Sequence, residues 1–450
     1  MTAPRAGGEG RAAGPGARFL AGTTDVERGR AVAPTPERMA ALMARLGEPQ
    51  ARFATLHVTG TNGKTSTARY AAALLSAAGR RVGLYTSPHL VSVAERIELG
   101  GAPVDEALLE ESLAEVAGAA GGLELTLFEA MTAAAFVAFA RAGLELAVVE
   151  VGILGRHDPT NVVASEVAVV TNVGRDHLDY AGPEPGAVAR EKAGIVKAST
   201  RACVLGAASD ELLEAVESER SASGSAGDVV VYGRDFVAAR SAGTAGGLPR
   251  WRIGRPRGGA PVEVALARAF EARNAATALV AAEALLAGPL PGEVVRAALD
   301  GLVVPGRAQV LSQDPLVVAD VAHNPEAAAT LRAVLDETLA ARGAPAGPVV
   351  FVVGMTGARS PAGFLAPLVR PGDTVVACPT TGSPGAVDPA VVAADATALG
   401  AAGIVAGSVE GAVAWALETA GRTGAAVVVT GSFRVVAPLV ARAASGAPPG

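Results

Sequence analysis

Short apolar, β-branched runs recur along this chain, and stretches of helical periodicity fill the intervals between them. Met39, Leu42, Met43 and Leu46 share one face of a helix that Thr35-Pro36-Glu37 opens and Gly47 stops. Residues 53–58 then read as a strand, 59–63 as a glycine loop, 64–78 as a helix closed by Gly79, and 81–85 as the next strand. Further strand patterns fall at 146–151, 167–172, 202–205 and 229–232, alternating with helical stretches such as 128–142 and 274–287. This rhythm predicts βαβ units and a mostly parallel sheet covered on both faces, an α/β fold.

After Gly288-Pro289-Leu290-Pro291-Gly292 and a short helix, a second βα rhythm begins, with strands expected at 316–321, 349–353, 374–378, 403–406 and 426–430. Five strands in so short a stretch predict one doubly wound domain, with the boundary near residue 303. A chain of 450 residues exceeds what a single core organises, so two domains are expected on length as well. Residues 1–33 are rich in Ala, Gly and Arg and lack an apolar signal-peptide core, so they read as a disordered extension outside the fold. The Gly- and Ser-rich segments 221–227 and 241–260 read as loops around a small strand insertion.

Charge narrows the partners. A net charge of −6 and a pI near 5.6 leave no electrostatic footprint for nucleic acid or an anionic membrane. No apolar run approaches the roughly 18 residues of a membrane span. Cys203 and Cys378 make neither a disulfide framework nor a metal-type spacing, so a reducing cytoplasm is the expected compartment.

Polar scarcity points to a site. Among 38 basic residues only Lys64, Lys192 and Lys197 are lysines, which marks places where a guanidinium cannot substitute. Lys64 lies in Thr59-Gly60-Thr61-Asn62-Gly63-Lys64-Thr65-Ser66, a strand–glycine loop–helix P-loop whose N–H groups can wrap phosphates. The Ser87 hydroxyl, at the end of the second strand, can meet a metal or phosphate. Glu150 closes an apolar strand, where a carboxylate needs a cation such as Mg²⁺. The polar loop after it offers Arg156, Asp158, Thr160 and Asn161 as substrate contacts. The neutral imidazole of His177 can ligate a metal. The Lys192 amine can either form an ordinary ion pair or add CO₂, becoming a carbamate that helps position a metal. In the second domain Arg307 and Asp320-Val321-Ala322-His323-Asn324-Pro325 can meet a triphosphate across the cleft, although Asn324-Pro325 also reads as a helix cap.

These residues together resemble the folylpolyglutamate synthase/dihydrofolate synthase family of the Mur ligase superfamily. The resemblance runs from about residue 34 to the C-terminus. It rests on His57-Val58-Thr59-Gly60-Thr61-Asn62-Gly63-Lys64, Ser87-Pro88-His89-Leu90, Leu125-Thr126-Leu127-Phe128-Glu129, Val149-Glu150-Val151-Gly152, Asp176-His177-Leu178-Asp179, Arg190-Glu191-Lys192-Ala193-Gly194-Ile195, Pro305-Gly306-Arg307 and Ala322-His323-Asn324-Pro325. It implies an ATP-binding central domain over 34–303 and a smaller Rossmann-like glutamate ligase domain over 304–450. It further implies ATP phosphates on Thr61, Asn62, Gly63, Lys64 and Thr65, one Mg²⁺ on Ser87 and Glu150, and a second on His177 with carbamylated Lys192. Asn274, Arg307 and Asp320 would complete the ATP site, with His323 near the phosphates. Thr126, Phe128, Arg156 and Asp158 would face the pterin acid. The implied activity is ATP-dependent addition of L-glutamate to dihydropteroate or tetrahydrofolate through an acyl phosphate, by a monomer acting on small molecules.

The sequence also departs from the family pattern. Thr65 stands where glycine is usual, Val93-Ala94 where Phe-Asn is common, the loop 153–159 is altered, and 354–360 lacks the usual Asp-Lys-Asp. A divergent ligase joining another acid and amine, for example in secondary metabolism, is therefore the alternative. A P-loop protein that only hydrolyses ATP would be expected to carry an Asp-terminated strand where Glu150 stands.

Overall fold

The computed structural model describes residues 14–23, 35–174, 181, 182, 184, 186–245, 247–256, 259–343, 347–357, 360–380 and 385–446. Two large sheets organise it. The first has eight strands in the order β4 (Ala102–Pro103), β3 (Ile97–Leu99), β2 (Val82–Tyr85), β5 (Leu146–Glu150), β1 (Ala54–Thr59), β6 (Ser165–Val170), β7 (Ala202–Leu205) and β8 (Asp228–Val231). The β2-β3-β4 edge is antiparallel and the remaining pairings are parallel. The helix Lys64–Ala77 covers one face with Ala269–Leu286, while Glu106–Ala120 and Leu127–Arg141 cover the other.

A strand buried between parallel neighbours is ordinarily apolar throughout. On β1 Leu56 and Val58 join the core beneath the helix 64–77, with Ala54 packed against it, whereas Thr55, His57 and Thr59 are fully buried and polar. That alternation gives the central strand one polar face.

The stretch 241–260, expected as loop, is largely strand. β9 (Val237–Ala245), β10 (Leu248–Gly254) and β11 (Val262–Ala265) form an antiparallel sheet whose Trp251 and Ile253 side chains enter the first core. Glycine-rich composition concealed it, because only alternate residues of β10 face inward.

The second sheet runs β12 (Gln309–Gln313), β13 (Leu316–Ala319), β17 (Ala426–Thr430), β14 (Val349–Val353), β15 (Thr374–Ala377) and β16 (Ala402–Val405), parallel except at β12. β14 and β17 are buried along their whole length, and apolar clusters lie on both faces. This second rhythm is the doubly wound pattern that the sequence predicts.

The extension expected to lie outside the fold contributes a helix, Pro15–Gly22. The Glu110 carboxylate accepts from the Gly16 and Ala17 N–H groups, at 2.7 and 2.9 Å, and so satisfies donors that a helix start leaves open. Composition alone hid this, because the partner lies some ninety residues away.

Candidate active site

The P-loop leaves the carboxyl end of β1, between β5 and β6, where parallel sheets bind their ligands. Gly60 has φ 150°, and a Cβ there would stand 1.8 Å from the Thr171 hydroxyl. Gly63 has φ 82° and caps the helix 64–77, with Asn274 so close that a Cβ would meet its Oδ1 at 3.0 Å. Conformation favours glycine at both positions, and at Gly60 the close Thr171 hydroxyl leaves no room for a side chain as well. The Asn172 Oδ1 accepts from the Thr61 and Asn62 N–H groups at 3.1 and 2.9 Å, and Thr171 Oγ1 donates to the Asn62 carbonyl at 2.6 Å. Lys64 Nζ donates to the Gly60 carbonyl at 2.8 Å.

Glu150 ends β5 and is 1% exposed. Its Oε1 accepts from Thr65 Oγ1 at 2.8 Å and its Oε2 from the Ser87 N–H at 3.2 Å. Burial raises its pKa above the usual carboxylate range, with Lys64, Thr65, Ser87 and Arg307 pulling the other way. A cation beside it would complete that opposition.

Arg307 reaches in from the second unit and donates to Thr65 Oγ1 at 3.2 Å. Burial lowers its pKa, against the attraction of Asp320 and Glu150. Asp320 has both oxygens on backbone, accepting from Ala308 at 2.6 Å and Ala322 at 2.7 Å, so it shapes the turn that carries Arg307. A reciprocal amide pair joins Asn62 to Asn324, at 3.1 and 3.4 Å, across the same cleft. Asn324 also caps the helix Pro325–Ala341, while the neighbouring His323 places Nδ1 2.9 Å from the Val321 carbonyl. Thus Thr61 to Thr65, Ser87, Glu150, Asn274 and Arg307 converge, with His323 and Asp320 on the flank.

Of the residues read as substrate contacts, Phe128 and Asp158 meet at residues 152–153, while Thr126 and Arg156 are engaged by Glu129 and Glu219. Thr126 caps the helix 127–141 in a box with the buried Glu129, which Arg38 also pairs with. Phe128 packs 6.0 Å from Tyr85 and closes over Gly152. Arg156 turns to Glu219. Asp158 is 3% exposed and takes the Ile153 and Thr160 N–H groups, each at 2.9 Å; burial lifts its pKa to about 6. Lys192 is 2% exposed on the helix Ala187–Ala193. His177 lies outside the described residues. Among the described residues no three of His, Cys, Asp and Glu gather as a metal cage, and no helix is long and apolar enough to cross a membrane.

Sequence reasoning gave no role to Asn172 as the brace of the P-loop, nor to His57. The signal for His57 was present in the Thr55, His57, Thr59 alternation, unusual in a central parallel strand.

The Mur ligase middle domain model matches residues 58–282, and the Mur ligase glutamate ligase domain model matches 306–433. The dihydrofolate synthase/folylpolyglutamate synthase of Mycobacterium tuberculosis is 35% identical over 380 residues, covering 79% of this chain and 76% of that protein. The crystal structure of M. tuberculosis folylpolyglutamate synthase complexed with ADP and AMPPCP superposes with a TM-score of 0.82 at 32% identity, covering 93% of this chain and 96% of that one. The bifunctional Yersinia pestis enzyme complexed with AMPPNP and a manganese ion gives 0.79 at 32% identity, covering 95% and 97%. Two matched modules around one P-loop define a Mur ligase. Within that superfamily the chain belongs to the dihydrofolate synthase/folylpolyglutamate synthase family.

Proposed function

We propose that this chain is an ATP-dependent amide ligase that adds L-glutamate to dihydropteroate, to tetrahydrofolate, or to both. The observation that carries the reading is the convergence of the P-loop and Glu150 with Arg307 from the opposite unit, in a member of this family. Residues 34–303 serve as the ATP-binding unit and 304–450 as the glutamate ligase unit, working as a monomer in the cytoplasm on small molecules rather than nucleic acid or membrane.

A carboxylate is a poor electrophile. Its oxygen attacks the γ-phosphorus, the bond to ADP breaks, and the glutamate amine then displaces phosphate from the acyl carbon. Two anions must approach, so Lys64 and Arg307 supply the positive charge and the helix 64–77 its positive end. Asn274 beside Gly63 and Asp320 behind Arg307 hold the nucleotide side of the cleft. His323 lies near the phosphates, and Thr126, Phe128, Arg156 and Asp158 define the side from which the pterin acid enters.

The buried Glu150, with the Thr65 hydroxyl on one of its oxygens and the Ser87 N–H on the other, suits a hard divalent ion, consistent with the manganese of the Yersinia relative. Magnesium bound there would neutralise the phosphate charge, and a second ion is assigned to His177 with carbamylated Lys192. The altered loop 153–159 supports one competing reading, a ligase for another acid and amine.

Purified protein given Mg-ATP and L-glutamate should release phosphate only when dihydropteroate or tetrahydrofolate is added, with a product heavier by one glutamyl residue. Phosphate release that neither pterin stimulates would remove folates as acceptors and favour the divergent ligase.

A further inference from the structure

The polar face of β1 leads to the loop that follows Glu150. Thr59 Oγ1 donates to the carbonyl of Leu154, which is held at φ 60°. Thr160 Oγ1 donates to Asp158 Oδ1 at 2.5 Å, so it receives its other bond from His57, whose Nε2 lies 2.9 Å away. This fixes the tautomer with the proton on Nε2. His57 is fully buried, and burial lowers its pKa to about 3, so the ring stays neutral throughout the working range. Asp158 then clamps Ile153 and Thr160, setting the curvature of the loop.

The same loop is tied to the short helix that carries Lys192. Arg156 N–H donates to the Glu191 carbonyl at 2.8 Å, and Asn161 Nδ2 donates to the Gly194 carbonyl at 3.1 Å. His157 Nδ1 lies 3.0 Å from the Glu191 carboxylate. At Gly155 the approach is so close that a Cβ would stand 2.6 Å from the Glu191 carbonyl and 3.1 Å from the Lys192 Cα. A seven-residue helix has little rigidity of its own, so these ties, together with the packing of Ala189 and Ala193 against Leu212 and Val216, set where Lys192 points.

We propose that His57, acting through Thr160 and Asp158, is a positioning residue that sets Lys192 relative to the nucleotide loop carried by the same strand. The inference rests on the ligase reading and on the role assigned there to Lys192. Neither His57 nor Thr160 touches substrate in this scheme.

The test compares His57→Leu, His57→Gln and Thr160→Val in the full-length protein. Steady-state kinetics, AMPPNP affinity by calorimetry, and the ¹³C signal of a Lys192 carbamate formed from labelled bicarbonate are measured for each. Loss of an outer partner to a metal ligand typically costs about 10- to 100-fold, so kcat should fall by that factor in His57→Leu and Thr160→Val. The carbamate signal should weaken alongside it, while AMPPNP affinity stays within about threefold of the parent. Gln, which keeps a donor at similar reach, should restore most of the loss, and the His57→Leu/Thr160→Val double variant should be no worse than the poorer single one. A parent-like kcat in both single variants would overturn the proposal, as would equal losses of kcat and nucleotide affinity or a defect that Gln does not relieve. If His57→Leu fails to fold, Thr160→Val carries the same comparison. A parent protein that ligates no glutamate would count instead against the function proposed above.

Discussion

Lys192→Arg is expected to abolish most turnover, by at least about 100-fold, while the protein still binds ATP analogues. Lys192 is nearly inaccessible, on a helix held to the loop that follows the Glu150 strand. Arginine keeps the positive charge but cannot lose a proton to take up CO₂, so it cannot present the carboxylate that the second metal site needs. Lys192→Ala removes the group altogether, and short-chain carboxylic acids should partly rescue it by filling the space with an oxygen donor. The check is kcat for both variants with and without added acetate or propionate, alongside AMPPNP binding as a measure of folding. Full activity in Lys192→Arg would refute the carbamate and leave Lys192 as an ordinary ion-pairing residue.

Glu150→Gln should separate stability from function with comparable force. Glutamine matches the shape but offers one acceptor where the carboxylate offers two, and carries no charge for a divalent ion. Activity should fall by at least about 100-fold, and the magnesium dependence of nucleotide binding should largely vanish. Stability should respond to pH in the opposite sense. Burial raises the Glu150 pKa, so the stability this group contributes is present below the ordinary carboxylate range and lost as pH rises through the folded value. Glutamine suffers no such loss. The melting temperature of the variant relative to the parent, measured without metal, should therefore shift in the variant's favour between pH 4 and pH 8. A shift in the parent's favour would mean that Glu150 is held ionised by its surroundings before any metal binds.

The parts of this molecule that the sequence makes legible are those with short-range causes. The P-loop announces itself through two glycines, a lysine and the strand before them, and the valine-rich strands of the second sheet are too apolar to lie anywhere but inside. What stayed hidden depends on partners distant in the chain. Glu110 caps the start of the helix Pro15–Gly22 from far along the sequence, and the segments 241–245 and 248–254 are strand because Trp251 and Ile253 find a core to enter. The candidate site divides similarly. Lys64, Glu150 and Arg307 could be picked out by residue type and position, whereas the two backbone N–H groups that engage Asp320 are visible only in three dimensions. Asp158 likewise has the residue type of a substrate contact, yet its carboxylate is occupied by the loop that holds it.

All of the chemistry proposed here passes through transfer of a phosphoryl group to the acid before nitrogen arrives. Supplying dihydropteroate or tetrahydrofolate, whichever the protein glutamylates, labelled with ¹⁸O in the reacting carboxylate, together with Mg-ATP and L-glutamate, and weighing the released inorganic phosphate tests that step. One labelled oxygen per phosphate is the predicted result, because the acid's own oxygen leaves with phosphorus when the amide forms. Phosphate carrying no label, with labelled acid recovered unchanged and ADP accumulating, would mean that the site hydrolyses ATP without activating the acid.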